Sequence, residues 1–389
     1  MIRILAAILS TFVLASTAAA DSIVGWGTNG HGELGGGYRS PFSSLPVSVK
    51  GLSGIKQVVS TYKSGFALLE DGTIRAWGGN AFGQLGDGTH HEKLNPVPVK
   101  VLSQVVQIAA GGGHVMALLS NGTVWTWGGN AHGQLGNGTK SLEGEPHPFP
   151  MQVPGLKDVV SIAAGGADDA AILANGKVVA WGENAAGQLG DGTTVEKDVP
   201  TPVKRLSSVR SVAIGGIGSL GAHTLALLND GAVMVTGDNK HGQLGLGNTT
   251  DRLVPVSVPG LSHVTAVSAS ASHSLALLSN GTVKAWGSDD HGELGAPARE
   301  ACGTAACSRS PRSVGLPNVS AISAGWRFSL AVSSRRASAW GWNDRGQLGN
   351  GSTTDSITPV PVRGISGVIE VSAGESFSLA LLAGSGPPP

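Results

Sequence analysis

The chain has 389 residues, 41% of them hydrophobic, and its 26 basic and 26 acidic side chains leave a formal net charge of zero. That composition supplies a large core and excludes a disordered chain. A nucleic-acid binder needs a basic excess to neutralise phosphates, and none is present.

In chain order, the first element is a processing signal. Arg3 supplies positive charge, residues 4–15 are an apolar run, and Ala18-Ala19-Ala20 offers small residues for cleavage before Asp21. Residues 1–20 are expected to be a signal peptide, and the mature chain to be exported to a periplasmic or extracellular space. The run is too short for a membrane helix, which needs about 20 residues, and no other stretch qualifies as a span.

From Ile23 onward the 60 glycines fall into a pattern. The motif G-[QE]-L-G begins at Gly32, Gly83, Gly133, Gly187, Gly242, Gly292 and Gly346, and six residues before each copy stands Trp26, Trp77, Trp127, Trp181, Thr236, Trp286 or Trp340. A repeat of about 50 residues means a solenoid, array or propeller. Upstream of each Trp lie two apolar runs separated by a turn, as in MALLSNGTVWTW. Asp71-Gly72, Asn121-Gly122, Asn175-Gly176, Asp230-Gly231 and Asn280-Gly281 predict type I′ hairpins, which take positive φ at both central residues. The seventh unit has Arg335-Arg336 there and is one residue shorter. Runs such as VVQIAAGG and Pro-Val segments such as PVPVKVL bring the count to four strands per unit. The expected fold is all-β, a seven-bladed β-propeller with four-stranded blades.

The repeat starts half-way through a unit at Ile23 and ends half-way through another at residue 383. The two halves predict one blade shared by both ends, which closes the ring and removes two exposed sheet edges. The propeller should therefore form a single domain over residues 21–383, followed by a Gly/Ser/Pro tail at 384–389. Trp26, Trp77, Trp127, Trp181, Trp286 and Trp340 are read as blade-structural, with Gln134 bonding loop backbone and Leu135 filling the gap between blades.

Function is sought where the repeats disagree. Aligned on the central apolar run, the preceding residue is Ser64, His114, Asp168, His223, His273, Phe328 or Phe377, and sevenfold geometry places these as a ring. Three His and one Asp fit acid/base chemistry or a metal; they fit equally a structural hydrogen bond to the next blade. His31, His132, His241 and His291 recur inside the loop motif and read as solvated loop positions. Insertions occur at residues 140–150, before His223, and at 296–312. Gly216-x-Gly218-x-x-Gly221 has dinucleotide-fingerprint spacing, but a strand follows where a helix is needed, so no cofactor is expected. Cys302 and Cys307 are the only cysteines; they form a disulfide in an oxidising compartment or half of a metal site. Trp326-Arg327 is either an interface anchor or a cap on the channel. There is no G-x-S-x-G, H-E-x-x-H or P-loop sequence, so no catalytic residue and no metal site is assigned.

The register W-G-x-N-x-x-G-Q-L-G, followed by DGT, NGT or GST and preceded by G-x-H-x-x-A-L, resembles the regulator of chromosome condensation repeat family across residues 23–383. The resemblance implies the propeller fold. It also implies a face carrying His and Asp with which members dock on a small GTPase and expel nucleotide; by position His114, Asp168, His223 and His273 match, and Trp326 and Arg327 lie beside them. The leading expectation is an exported, monomeric, non-enzymatic propeller that presents face loops to a protein partner. Exchange-factor-like docking on a GTPase is the alternative, and a metal-dependent enzyme at the His/Asp ring the third.

Overall fold

A computed structural model describes residues 20–142, 144–217, 220–297 and 300–384. Residues 1–19 of the expected signal peptide and 385–389 of the tail lie outside them. The described chain forms seven antiparallel blades arranged as a ring, two of them linked into one eight-stranded sheet by the pairing of Ala20 with Ile55. From the channel outwards the strands follow chain order in every blade except the one shared by the two chain ends and the one carrying the cysteine insertion. We number the blades 1 (residues 20–48 and 368–383), 2 (55–98), 3 (105–152), 4 (159–202), 5 (209–257), 6 (264–314) and 7 (319–361).

Blade 1 is the shared one. Val368–Ala373 and Phe377–Ala383 supply its inner strands, and Ala20–Asn29 and Ser40–Ser48 its outer ones. The junction between the two chain ends is a continuous ladder in which Ile23 faces Leu381, Gly25 faces Leu379 and Trp26 faces Ser378. Closure is thus made by backbone hydrogen bonds and buried side chains from both ends. Blade 6 carries a short fifth strand, Glu300–Cys302, folded back on Ala305–Val314 by the cysteine insertion, and Cys302 and Cys307 are bonded to one another.

The core consists of seven apolar clusters, one at each joint between neighbouring blades. Six contain the repeat Trp, fully buried. Each indole N–H donates across the joint to the backbone carbonyl of the Gln or Glu in the preceding blade's loop motif. Trp127 reaches Gln84 O at 2.7 Å, Trp181 reaches Gln134 O at 2.9 Å and Trp340 reaches Glu293 O at 2.7 Å. The Trp therefore supplies volume and one directional bond together. The last glycine of the motif is required by contact as well as conformation: Gly136 has φ +64°, and a Cβ there would lie 2.7 Å from the Trp181 indole nitrogen. Within the loop, Gln134 Oε1 accepts the His132 N–H at 2.9 Å, Asn130 Oδ1 accepts the Leu135 N–H at 3.0 Å, and Leu135 is fully buried.

The hairpin turns correct the sequence reading. Positive φ falls on Gly72 (76°), Gly122 (79°) and Gly231 (83°), while the Asp or Asn before each is not among the positive-φ residues. Gly72 N donates to Leu69 O at 3.0 Å, and the Asp71 carboxylate accepts the Thr73 N–H at 2.9 Å. These are three-residue loops, a type I turn followed by a left-handed glycine, rather than type I′ turns. The type I′ turn occurs instead in blade 7, where Ser334 (φ 49°) and Arg335 (φ 61°) are both left-handed and Ser333 pairs with Arg336. One residue fewer forces the two-residue geometry, and non-glycine residues adopt it.

Candidate functional site at the channel mouth

The innermost strands line a channel with a cavity of about 290 Å³, walled mainly by Ala, Ser, Gly, Val and Ile. At its mouth the loops between first and second strands place Tyr62, Gly112, Gly166, Gly221, Ala271, Trp326 and Glu375 at equivalent repeat positions. Three of these carry large side chains. Tyr62 spans the opening, its hydroxyl donating to Gly216 O of blade 5 at 3.0 Å. Burial, reinforced by the carboxylates of Asp168, Glu375 and Glu183, holds that hydroxyl protonated far above its ordinary range. Glu375 is also raised by burial, with Lys63 opposing.

On the other side of the mouth is an aromatic and cationic cluster. Trp326 is half-buried and lines the channel, and the exposed Arg327 lies with its guanidinium carbon 5.0 Å from the Trp326 ring centroid. Arg327 Nη1 is 3.0 Å from His291 Nε2, and His291 Nδ1 is 2.8 Å from Asp355 Oδ2. A guanidinium only donates, so His291 Nε2 accepts and its Nδ1–H is directed to the carboxylate. Trp342 meets Trp326 edge-on at 5.4 Å and the His291 ring at 5.8 Å. The chain Asp355–His291–Arg327–Trp326–Trp342 therefore fixes an arginine and two half-buried indoles in one orientation.

The ring residues sit elsewhere than on an open face. His114, His223 and His273 are fully buried and Asp168 nearly so. His114 Nε2 is 2.8 Å from Asp169 Oδ1 of blade 4, His223 Nε2 is 2.8 Å from Ser274 Oγ of blade 6, and His273 Nε2 is 2.9 Å from Ser329 Oγ of blade 7. This is the structural bond to the next blade weighed from the sequence. Burial lowers His223 to about 4 and His273 to about 3, so both are neutral at physiological pH. Asp168 is driven strongly up by burial and by the Asp169 and Glu183 carboxylates. Asp169 is raised by burial against the pull of His114. The three histidines serve three different joints, and among the described residues no group of three or more His, Cys, Asp or Glu is arranged to hold a metal ion.

The loop histidines lie at exposed or part-exposed loop positions, as read from the sequence, and three of them also bond across a joint. His31, His132 and His291 each direct Nδ1 to a carboxylate of the following blade, Glu92, Glu196 and Asp355, at 2.9, 2.7 and 2.8 Å. They are clasps between blades. Sequence reasoning did not single out Trp342 or Tyr62. The signal was available: Trp342 is the one aromatic where the other units have Thr28, Gly79, Gly129, Glu183, Asp238 and Ser288, and Tyr62 stands where four of the other six units have glycine or alanine.

Fold and mouth together define a seven-bladed repeat propeller with an aromatic and cationic cluster at its channel mouth. The regulator of chromosome condensation (RCC1) repeat matches residues 71–118, 121–167, 175–227, 230–277, 280–332 and 339–381, so the chain belongs to that repeat family. Among curated relatives, the Ultraviolet-B receptor UVR8 of Arabidopsis thaliana is 31% identical over 60% of this chain and 53% of its own length. The human E3 ubiquitin-protein ligase HERC2 is 32% identical over 94% of this chain and 8% of its own. The chain thus spans about half, or far less, of the relatives it matches. Two solved structures share the fold. Human WBSCR16 has a TM-score of 0.82 at 23% identity, covering 93% of this chain and all of that one; Prp20p of Saccharomyces cerevisiae has 0.82 at 24%, covering 95% and 93%.

Proposed function

We propose that this propeller is an exported, non-enzymatic binding protein that presents its channel-mouth face to a protein partner. The observation that carries the reading is the Trp326–Arg327–Trp342–His291 cluster. Trp and Arg dominate interface energetics when pre-ordered, because little entropy remains to be lost on docking. Here Arg327 is held by a ring face and a histidine before any partner arrives. Family membership supports the reading, since Prp20p is described with binding properties to Gsp1p and histones. Export is supported by the pattern of residues 3–20 and by the Cys302–Cys307 bond, which persists in oxidising compartments.

The test is comparative capture from the source organism with wild-type protein and with Arg327→Ala and Trp342→Ala. Loss of the same protein from both variants, at unchanged melting temperature, is the expected result; an identical captured set for all three proteins rejects the face. Processing is checked by sequencing the N-terminus of the secreted or periplasmic form, expected to begin near Asp21. Likeness to Prp20p motivates a second reading, docking on a small GTPase. It predicts accelerated nucleotide release from such a GTPase, lost in Arg327→Ala.

A further inference from the structure

We infer that the ring opens at the joint between blades 4 and 5, which acts as a built-in release point in an otherwise uniform closure. The inference rests on the fold and is independent of the docking reading. Joints in a repeat ring are chemically comparable, so the joint with the fewest cross-ties has the lowest local opening free energy.

The apolar tie is the first that differs. Six joint clusters contain a Trp; the cluster between blades 4 and 5 is built from Ala, Ile, Val and Leu without any aromatic residue. Thr236 stands in the Trp position. Its Oγ1 lies 2.6 Å from Arg252 O of its own blade and 3.1 Å from Gly187 O of blade 4, and a hydroxyl has one proton for the two. The Gln188 carbonyl, whose counterparts receive an indole N–H, is left to Thr224 Oγ1 at 2.9 Å. Pro255 and Met234 lean into the vacated space, and an enclosed cavity of about 10 Å³ remains, room for roughly one water.

The ring-position tie differs too. Where His114, His223 and His273 reach the next blade, Asp168 has no hydrogen-bond partner on either carboxyl oxygen, and it lines the same cavity as Gln188, whose Nε2 is also unpartnered. Ser64 bonds its own blade, at Gly79 O, but there Gln57 compensates by holding both the N–H and C=O of Ile108 in blade 3. Phe328 and Phe377 replace the bond with fully buried rings. The loop-backbone bond made at five of the other joints is kept, Gly192 N to Leu253 O at 2.9 Å; only between blades 6 and 7, where Pro297 stands at that position, is it missing among the described residues. The closing joint, despite joining the two chain ends, has the Trp26 bond to Gln347 O at 2.8 Å and the tie of Ser378 Oγ to the same carbonyl at 3.0 Å.

Native-state hydrogen exchange of the full, oxidised chain tests this. The amides of Thr224, Leu225 and Val235 are expected to exchange roughly tenfold or more faster than their counterparts at Ser274, Leu275 and Ala285, and earlier than the 23–27 ladder of blade 1. Asp168→His and, separately, Thr236→Trp should each bring the rates toward those of the other joints. Equal protection at all seven joints in the wild-type chain, or first opening at blade 1, overturns the inference whether or not either variant folds.

Discussion

Glu370 of the closing blade holds the Val58 N–H of blade 2 through Oε2 at 3.2 Å, in the position from which Gln57 holds Ile108 and Gln107 holds Ile162 with both ends of an amide. A carboxylate can make only the accepting half of that contact; a protonated carboxyl can also donate, as the amide does. Burial raises Glu370 from the ordinary 4.5 to about 8, against the lowering effect of the Val58 N–H. The ring is thus latched at blade 1 by a carboxylic acid in its neutral form.

The sign of the pH effect follows. An acid whose folded-state value lies above its unfolded value contributes stability that is fully present below the unfolded value, about 4.5. That contribution is lost progressively as pH rises to about 8, because the unfolded chain releases the proton first. Glu370→Gln should stabilise the protein at pH 8 by roughly 1–3 kcal/mol and leave it nearly unchanged at pH 4.5. Urea midpoints of both proteins at pH 4.5, 6.5 and 8 provide the check; parallel curves would show that Glu370 titrates alike in both states.

The turn in blade 7 makes a different prediction. Ser334 and Arg335 both hold positive φ, which non-glycine residues adopt at a cost, whereas Asn-Gly suits this turn. Replacing them together, Ser334→Asn with Arg335→Gly, should raise stability by about 1 kcal/mol, visible as a higher urea midpoint with unchanged slope. The same Asn-Gly pair is already present at Asn121-Gly122, where the loop is one residue longer and only Gly122 is left-handed. A destabilised double variant would mean the two side chains gain more from their surroundings than their backbone loses.

The contrast between these turns marks where sequence reasoning ends. Period and motif made the ring, its seven joints and the shared blade legible, because six of the seven repeats bury the same Trp and all seven present the same loop. Turn type was misread because loop length, set by which residues pair across the hairpin, outweighs the Asn-Gly signal. The His/Asp ring could be located but not its orientation: whether His223 faces solvent or Ser274 depends on how closely blades 5 and 6 approach. The cluster at the channel mouth joins His291, Trp326 and Trp342 from three separate stretches of chain, and only Trp326-Arg327 drew attention as a pair. Asp168 was visible as a departure; that it lacks any partner required the packing around it.

The Cys302–Cys307 bond closes a short loop that pins the fifth strand of blade 6 against Ala305–Val314, with Glu300 facing Cys307 and bonding the Arg309 side chain at 2.9 Å. Cross-linking so few residues removes little entropy from the unfolded chain, so its loss should cost on the order of 2 kcal/mol. Cys307 is fully buried and pairs also with Ser288 of the third strand, which makes it part of the blade as well as of the flap. The double variant Cys302→Ser, Cys307→Ser should therefore melt lower by only a few degrees, as expected for a domain of this size. Proteolytic cleavage should appear first near residue 303, at the tip of the released flap. Mass mapping of limited-proteolysis fragments, alongside calorimetry, distinguishes the outcomes. Cleavage spread evenly over the seven blades, with a collapse in melting temperature, would show that the bond supports the whole ring rather than this one edge.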